Sequence, residues 1–331
     1  MNTKSDANEI RIFIDQLQKA DFLDDSRSWW PRFIFHFTNI NNAVEILEKG
    51  KLFSRNKLKK TGGMVTDNAS TEVIQQTDGR WKDFVRLYFR PRTPTQNRNE
   101  GYRPLAQRKL QSHCPVPIYF MFDAKQLLSR EDAYFSKGSL AAASTNIYSK
   151  AVDFKEIPFQ LVYHDSWFEP HERASIIHHR QAEVVVKDEL DLENLKHIWC
   201  RSEAEYKTLL NLLSPKTREK WKSKIGGGKK GNLFFRDWIF VEEVNMNKDS
   251  ITFKFNVPME TFDVVAIKVK ITEMYTQTNF IWENTEYKIK NTLEISLKNL
   301  ERPEIYDVTL LIDNQIMFFD KYNELDFYLP F

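Results

Sequence analysis

Three short segments carry side chains whose types and spacing could do chemistry together. In Phe35-His36-Phe37-Thr38-Asn39, strand alternation puts His36 and Thr38 on one face and the two phenylalanines on the other, toward a core. That pairing offers an imidazole beside a hydroxyl; alone it equally describes a half-buried, hydrogen-bonded histidine. In Arg86-Leu-Tyr88-Phe-Arg90-Pro-Arg92-Thr-Pro94, alternation predicts Arg86, Tyr88 and Arg90 on one face, and the prolines stiffen a turn that presents Arg92. Guanidinium forks suit phosphate oxygens, whether of a nucleotide or of a nucleic acid. In Arg180-Gln-Ala182-Glu183-Val-Val-Val186 a carboxylate opens an otherwise apolar strand, after the His/Arg-rich stretch 171–180. Strand-end glutamates are mostly solvent-exposed, so Glu183 by itself is a candidate and no more.

The elements that must hold these groups can be read from periodicity. Ile10, Phe13, Ile14 and Leu17 predict an amphipathic helix over 5–20. A strand at Phe33–Phe37 leads to Asn39, which caps a helix through Ala43, Ile46 and Leu47 that Gly50 ends. Residues 57–79 read as a polar loop with Gly62-Gly63 as a hinge. Strands follow at 84–89, 117–122, 182–186 and 195–200, and Ser202-x-x-Glu205 is a capping box opening a helix to Leu213. Lys216–Asn232 reads as a basic linker. Its Gly226-x-Gly228-x-x-Gly231 matches a dinucleotide fingerprint in spelling only, because the strand and amphipathic helix that the fingerprint needs on either side are not predicted. Further on the period changes to two, as in Ile251/Phe253/Phe255/Val257 and Val265/Ile267/Val269/Ile271, which predicts a small β-sandwich without a catalytic constellation.

Composition narrows the function classes. Of 331 residues only 10 are glycine, whereas Phe, Tyr and Trp number 25, 12 and 8. Such a chain is a poor candidate for a glycine-fingerprint nucleotide fold and is rich in flat faces for stacking. Two cysteines, Cys114 and Cys200, make neither a disulfide framework nor a zinc site, so no metal is expected. The polar start MNTKSDANEI has no apolar signal core and no apolar run reaches about 18 residues, which gives the expectation of a cytoplasmic protein outside the membrane. The formal charge of +2 is a cancellation. Residues 51–110 carry 14 Lys/Arg against 5 Asp/Glu, 214–236 carry 8 against 1, and 237–331 carry 9 against 17. A basic region interleaved with Trp81, Tyr88, Phe89 and Tyr102 suits a polyanion; a solvated basic surface would show the same count.

In order and spacing, the three segments resemble the DarT family of DNA ADP-ribosyltransferases, over roughly residues 30–213. His36-Phe-Thr-Asn through Ile46-Leu47-Glu-Lys-Gly50 and Leu52-Phe53-Ser54 is similar to the family's NAD-binding start. Tyr88-Phe-Arg90-Pro-Arg92-Thr-Pro94 is similar to its arginine motif, and Ala182-Glu183-Val184 to its catalytic-glutamate strand. The chain departs from the family pattern at Thr95-Gln96, where many relatives have an apolar residue and an aromatic.

The resemblance implies an ADP-ribosyltransferase-like split β-sheet core with helices; with the all-β sandwich read from the period-two region, which the resemblance does not cover, the expected fold class is α+β. The expected division is 1–213 for the transferase, 214–232 for the linker and 233–331 for the accessory sandwich. It also implies NAD as substrate, His36, Phe37, Thr38 and Phe53 as NAD-binding residues, and Glu183 and Arg92 as catalytic. His171–Gln181 becomes the acceptor-selecting loop, and Arg86, Arg90, Arg173, His178, His179 and Arg180 the nucleic-acid-facing set. Cleaving the nicotinamide–ribose bond builds an oxocarbenium-like ribose that a carboxylate stabilises, and an unpaired base attacks at least unstacking cost. Three functional readings stand: transfer to bases of single-stranded DNA in a toxin or phage-defence role, the same transfer to bases of RNA, and a non-catalytic nucleic-acid-binding module on the same scaffold. The acidic sandwich is expected to shield the basic face or to dock an antitoxin or chaperone, so that deleting 233–331 alters partner binding or toxicity more than NAD cleavage.

Overall fold

The computed structural model describes residues 2–61, 78–104, 108, 113–257 and 264–327. Its first part is built on strands β1 (Phe33–Asn39), β2 (Lys51–Phe53), β3 (Phe84–Tyr88), β4 (Pro117–Asp123), β5 (Ala133–Ser136), β6 (Ile147–Tyr148), β7 (Glu183–Lys187), β8 (Glu189–Asp191), β9 (Leu195–Cys200) and β10 (Ile225–Gly227). Eight of them form one mixed sheet in the order β10-β9-β4-β1-β3-β7-β5-β6, and β2 pairs with β8 in a separate ribbon. One face, with Ile34, Leu87, Phe120, Val184 and Ile198, packs on the main core, to which the helix Ala7–Leu17 contributes Ile10, Ile14 and Leu17. Each such fully buried apolar side chain contributes about 1.5–3 kcal/mol relative to exposure. The opposite face carries Phe35, Tyr119 and Met121, covered by Leu233 and Phe234.

Local chemistry sets the ends of the elements around β1. The Asn39 side chain accepts from Asn41 N at 3.0 Å to start the helix Ile40–Lys49, and Gly50 ends it at φ 68°. The Ser202 hydroxyl accepts from Glu205 N at 3.1 Å and starts the helix Glu203–Leu212. The start of the expected loop is instead helical, Arg55–Lys60, where the Ser54 hydroxyl accepts from Lys57 N at 3.3 Å; Gly62-Gly63 and residues 64–77 lie outside the described residues.

Lys216–Asn232, expected as a linker, is largely ordered. Pro215–Trp221 is helical, and β10 joins β9 in parallel, with Ile225 opposite Ile198. A Cβ at Gly226 would stand 2.6 Å from the Trp199 ring, so the glycine is what lets the edge strand lie this close. Beyond it, β11 (Phe240–Met246), β12 (Ser250–Asn256), β13 (Val265–Glu273), β14 (Asn279–Tyr287), β15 (Thr292–Ser296), β16 (Ile305–Ile312) and β17 (Gln315–Asn323) form two antiparallel sheets, β11-β12-β15 and β14-β13-β16-β17. The alternating residues predicted to point inward do so except Val257, which is exposed because β12 ends at Asn256; Phe253 meets Phe318 edge to face at 5.9 Å between the sheets.

The sandwich is fastened to the helix Glu203–Leu212. Phe319 N donates to Thr208 Oγ1 at 3.0 Å, the Asn211 amide donates to Asp320 at 2.8 Å, and Ser202 Oγ donates to Val241 O at 2.6 Å. No helix among the described residues is long and apolar enough to cross a membrane.

Candidate active site

The eight-stranded sheet is split down its middle. β1 pairs with β4 over seven register positions, and β3 with β7 over five. Between β1 and β3 the register holds at one pair alone, Phe35 with Tyr88. Past that pair the Arg86 carbonyl is met by the His36 ring, at 3.2 Å from Nδ1. A carbonyl only accepts, so Nδ1 carries the proton and donates. Burial lowers the His36 pKa to about 4, against the opposing pull of that carbonyl, so the ring is neutral at pH 7 and Nε2 is an acceptor.

Register decides which groups share a face. Phe35 opposite Tyr88, and Tyr88 opposite Glu183, put Phe35, Phe37, Arg86, Tyr88 and Glu183 on one side of the sheet. His36 and Thr38 lie on the other, with Ile34. Of the expected NAD-binding residues, Phe37 therefore shares the Glu183 face, its ring 5.5 Å from Tyr119. His36 fills the seam from the core side. Thr38 is buried and accepts from the Asn42 amide at 3.3 Å. Phe53 sits on the β2–β8 ribbon, with Lys57 Nζ 5.5 Å from its ring, rather than in the seam.

Glu183 is 1% exposed, unlike an ordinary strand-end glutamate. Arg86 grips it with both arms, Nε to Oε2 at 2.5 Å and Nη2 to Oε1 at 2.6 Å, while Leu140 N donates to Oε1 at 3.2 Å. Burial alone would lower the Arg86 pKa; the adjacent carboxylate more than reverses this and raises it. Burial and the same negative charge push Tyr88 up to about 12. The backbone under Glu183 is fixed as well, because its N–H donates to Ser136 Oγ at 3.0 Å. A carboxylate has about four acceptor positions, and three are filled here.

Arg92 stands at φ 56°, a left-handed conformation that costs a non-glycine residue about 1–3 kcal/mol. Its N–H donates to Gln96 Oε1 at 2.7 Å, Nη1 donates to Asp165 at 3.1 Å, and the guanidinium lies 4.8 Å from the Phe235 ring. Thr95, in the helix that follows, donates to Gln181 Oε1 at 3.2 Å and so ties the arginine turn to the entry of β7.

Arg90 and Arg86 are not where a nucleic acid could use them freely. β3 ends at Tyr88, so alternation no longer governs Arg90; it turns inward, is 1% exposed, and donates to Val162 O at 3.1 Å, to His164 O and to Asp165 at 2.5 Å. Burial lowers its pKa to about 10 despite Asp165. Of the expected acceptor loop, Arg173 is exposed at the start of the helix Arg173–His179. His179 meets Lys137 O at 2.6 Å, and His178 packs so close to Gly138 that a Cβ there would be 2.0 Å from its Nε2. These histidines brace the loop that supplies Leu140 N to Glu183. Arg180 joins His164 at 2.9 Å, and burial followed by the opposing Asp165 and neighbouring Arg92 charges leaves its pKa lowered.

Arg90, Arg92 and Arg180 thus gather around the carboxylate of Asp165, and Asp237 adds a second negative charge near Arg92. The Nε donors of Arg92 and Arg180 are buried and have no hydrogen-bond partner among the described residues. Asp165, Gln96, Tyr119 and Phe235 were not singled out as site residues from the sequence; Gln96 alone left a trace there, as a departure from the family pattern.

Comparison with known proteins gives the following. Residues 35–232 match the family model described as ssDNA thymidine ADP-ribosyltransferase, DarT. Among solved structures, Thermus sp. 2.9 DarT in complex with ADP-ribosylated ssDNA is similar at 16% identity, over 62% of this chain and 97% of that one, with a TM-score of 0.49. The same protein in complex with NAD+ is similar at 15% identity, over 62% and 98%, with a TM-score of 0.48. Thermosipho africanus DarTG in complex with ADP-ribose is similar at 18% identity, over 66% of this chain and 53% of that one, with a TM-score of 0.48. No curated protein matches the sequence.

Proposed function

The chain belongs to the DarT family, the ssDNA thymidine ADP-ribosyltransferases, and from that premise we propose that it cleaves NAD and transfers the ADP-ribose to a thymine of single-stranded DNA. The observation that carries the reading is Glu183, a buried carboxylate held by Arg86 at the seam of a split sheet.

The residues fit the substrate. A carboxylate with one acceptor position open can take a hydrogen bond from a hydroxyl of the nicotinamide-side ribose. Its charge then stabilises the positive ribose that forms as the C1′–nicotinamide bond breaks and the electron pair leaves with nicotinamide. A ring nitrogen of the base bonds to C1′, nicotinamide leaves as the neutral base, and the proton of the attacking nitrogen passes to water. The arginine cluster at Asp165, with two orphaned Nε donors, suits the pyrophosphate of NAD or a DNA phosphate. A guanidinium stays protonated, so Arg92 holds an anion or polarises the base rather than accepting a proton. Phe37 and Tyr119 offer ring faces on the same side of the sheet.

On this reading the catalytic unit runs past 213 to include β10, and the protein works with a partner that blocks or reverses its modification, a toxin–antitoxin arrangement. The test is labelled NAD with matched thymine-containing single-stranded DNA and uracil-containing RNA, beside Glu183→Gln. Label on the DNA that disappears in the variant is the expected result. Label on RNA instead would move the activity to the other polymer, and label on neither would refute transfer.

A further inference from the structure

The Leu233–Trp238 segment, which leads from the family-matched region into the sandwich, lies against the Arg92 turn rather than away from it. The contact runs through Gln96, which is fully buried. Its Oε1 accepts from Arg92 N at 2.7 Å and from the Tyr119 hydroxyl; its Nε2 donates to Glu100 Oε2 at 2.7 Å and to Leu233 O at 2.9 Å. A side-chain amide has two acceptor positions and two donors, and all four are used. Glu100, also buried, then accepts from Phe235 N at 3.0 Å and Arg236 N at 2.8 Å. Phe234 packs on Tyr119 at 5.3 Å, and the Phe235 ring meets the Arg92 guanidinium at 4.8 Å. Gly101 makes the approach possible: at φ +78°, a Cβ there would fall 2.6 Å from Trp238 Cβ.

These contacts all bear on one residue. The peptide of Arg92 is in a strained conformation that the Gln96 amide holds, and Gln96 is held by Leu233. The side chain is gripped from two sides, by Asp165 from the first part of the chain and by Phe235 from the last. We infer that Gln96 and Phe235 are positioning residues for Arg92, so that the segment opening the sandwich completes the transferase site. This inference rests on the catalytic reading of Arg92 and reverses the expectation that 233–331 could be removed with little effect on NAD chemistry. It also gives Gln96 a reason: the position that departs from the family pattern is the one that receives the segment lying outside the family match.

The experiment uses the full chain carrying Phe235→Leu, Phe235→Tyr and, as a control inside the sandwich, Phe253→Leu. Two readouts are taken: steady-state transfer to single-stranded DNA, and modification of Arg92 by phenylglyoxal, mapped by mass spectrometry without NAD. Phe235→Leu is expected to lower kcat by about tenfold or more, with KM for NAD little changed, since small misplacements at a reacting centre cost up to about 100-fold. Arg92 should become several-fold more reactive, while Phe235→Tyr, which keeps the ring face, restores both. Wild-type values in Phe235→Leu would overturn the inference, and so would an equal loss of kcat in Phe253→Leu at matched melting temperature. If the wild type transfers nothing to DNA, the functional reading fails, and the Arg92 reactivity still decides whether the clasp exists.

Discussion

The seam between β1 and β3 and the ladder between β13 and β16 are both antiparallel strand pairs, and they differ in how far the pairing runs. β13 and β16 stay in register over seven positions, and their side chains alternate cleanly between core and surface. β1 and β3 share a single pair. Where the ladder is complete, backbone groups satisfy one another and side chains are free to be apolar. Where it is abandoned, a side chain must do the backbone's work, as His36 does for the Arg86 carbonyl. Beside that gap the sheet holds a bidentate carboxylate–guanidinium pair and a left-handed arginine. The sandwich ladder has gone entirely to stability, while the seam has kept polar groups at a cost in stability.

That contrast can be broken from either side. The largest effect is expected from Glu183→Gln, which removes the charge facing the developing cation and should lower transfer by about 100- to 1000-fold. The fold should survive, as judged by a melting curve. Next is Arg86→Ala, which leaves the buried Glu183 carboxylate without its partner and should cost about 3 kcal/mol in urea unfolding. A loss below about 1 kcal/mol would mean that water reaches the carboxylate and the seam is open.

His36 gives a smaller, pH-dependent effect. Its pKa is about 4 in the folded chain against an ordinary value near 6.5, so between these values the unfolded chain binds the proton and the folded chain does not. Stability from this residue is complete above pH 6.5 and is lost as the pH falls toward 4. At pH 5 the loss is about 2 kcal/mol. Other histidines here are shifted the same way, His113 to about 3, so the measurement is the difference between wild type and His36→Gln across that window. Parallel pH profiles would show that the ring is not the half-buried neutral group described. Smallest is Ile271→Val in the sandwich, with about 1 kcal/mol of stability lost and transfer per folded molecule unchanged.

The same contrast explains what could be read in advance. Period-two alternation is dictated by neighbours one residue away, so the sandwich strands and the β1-to-Gly50 unit with its Asn39 cap were legible. Arg90 was misplaced because β3 stops two residues short of it and the chain turns; the carbonyls that take it up come from residues 162 and 164, far along the sequence. The basic, glycine-bearing stretch 214–232 looked like a linker because the partner that orders it, β9 with Trp199, is not local. Asp165 and Phe235 carried no local signal, since each matters only through the arginine it meets. Glu183 and Arg92 were visible through motif spacing, but that Glu183 is buried and paired was not.

The Gln96–Leu233 hydrogen bond joins residues 137 apart in sequence. Synthesis adds about 5–20 residues per second, and segments fold as they leave the ribosome. A nascent chain that has released every residue of its split sheet up to β9 still has Arg92 without its clasp. On the inference drawn above, Arg92 is held in place only once the opening of the last hundred residues has emerged, and transfer stays slow until then. That order of events would keep chains shorter than about 233 residues from modifying DNA at the full rate.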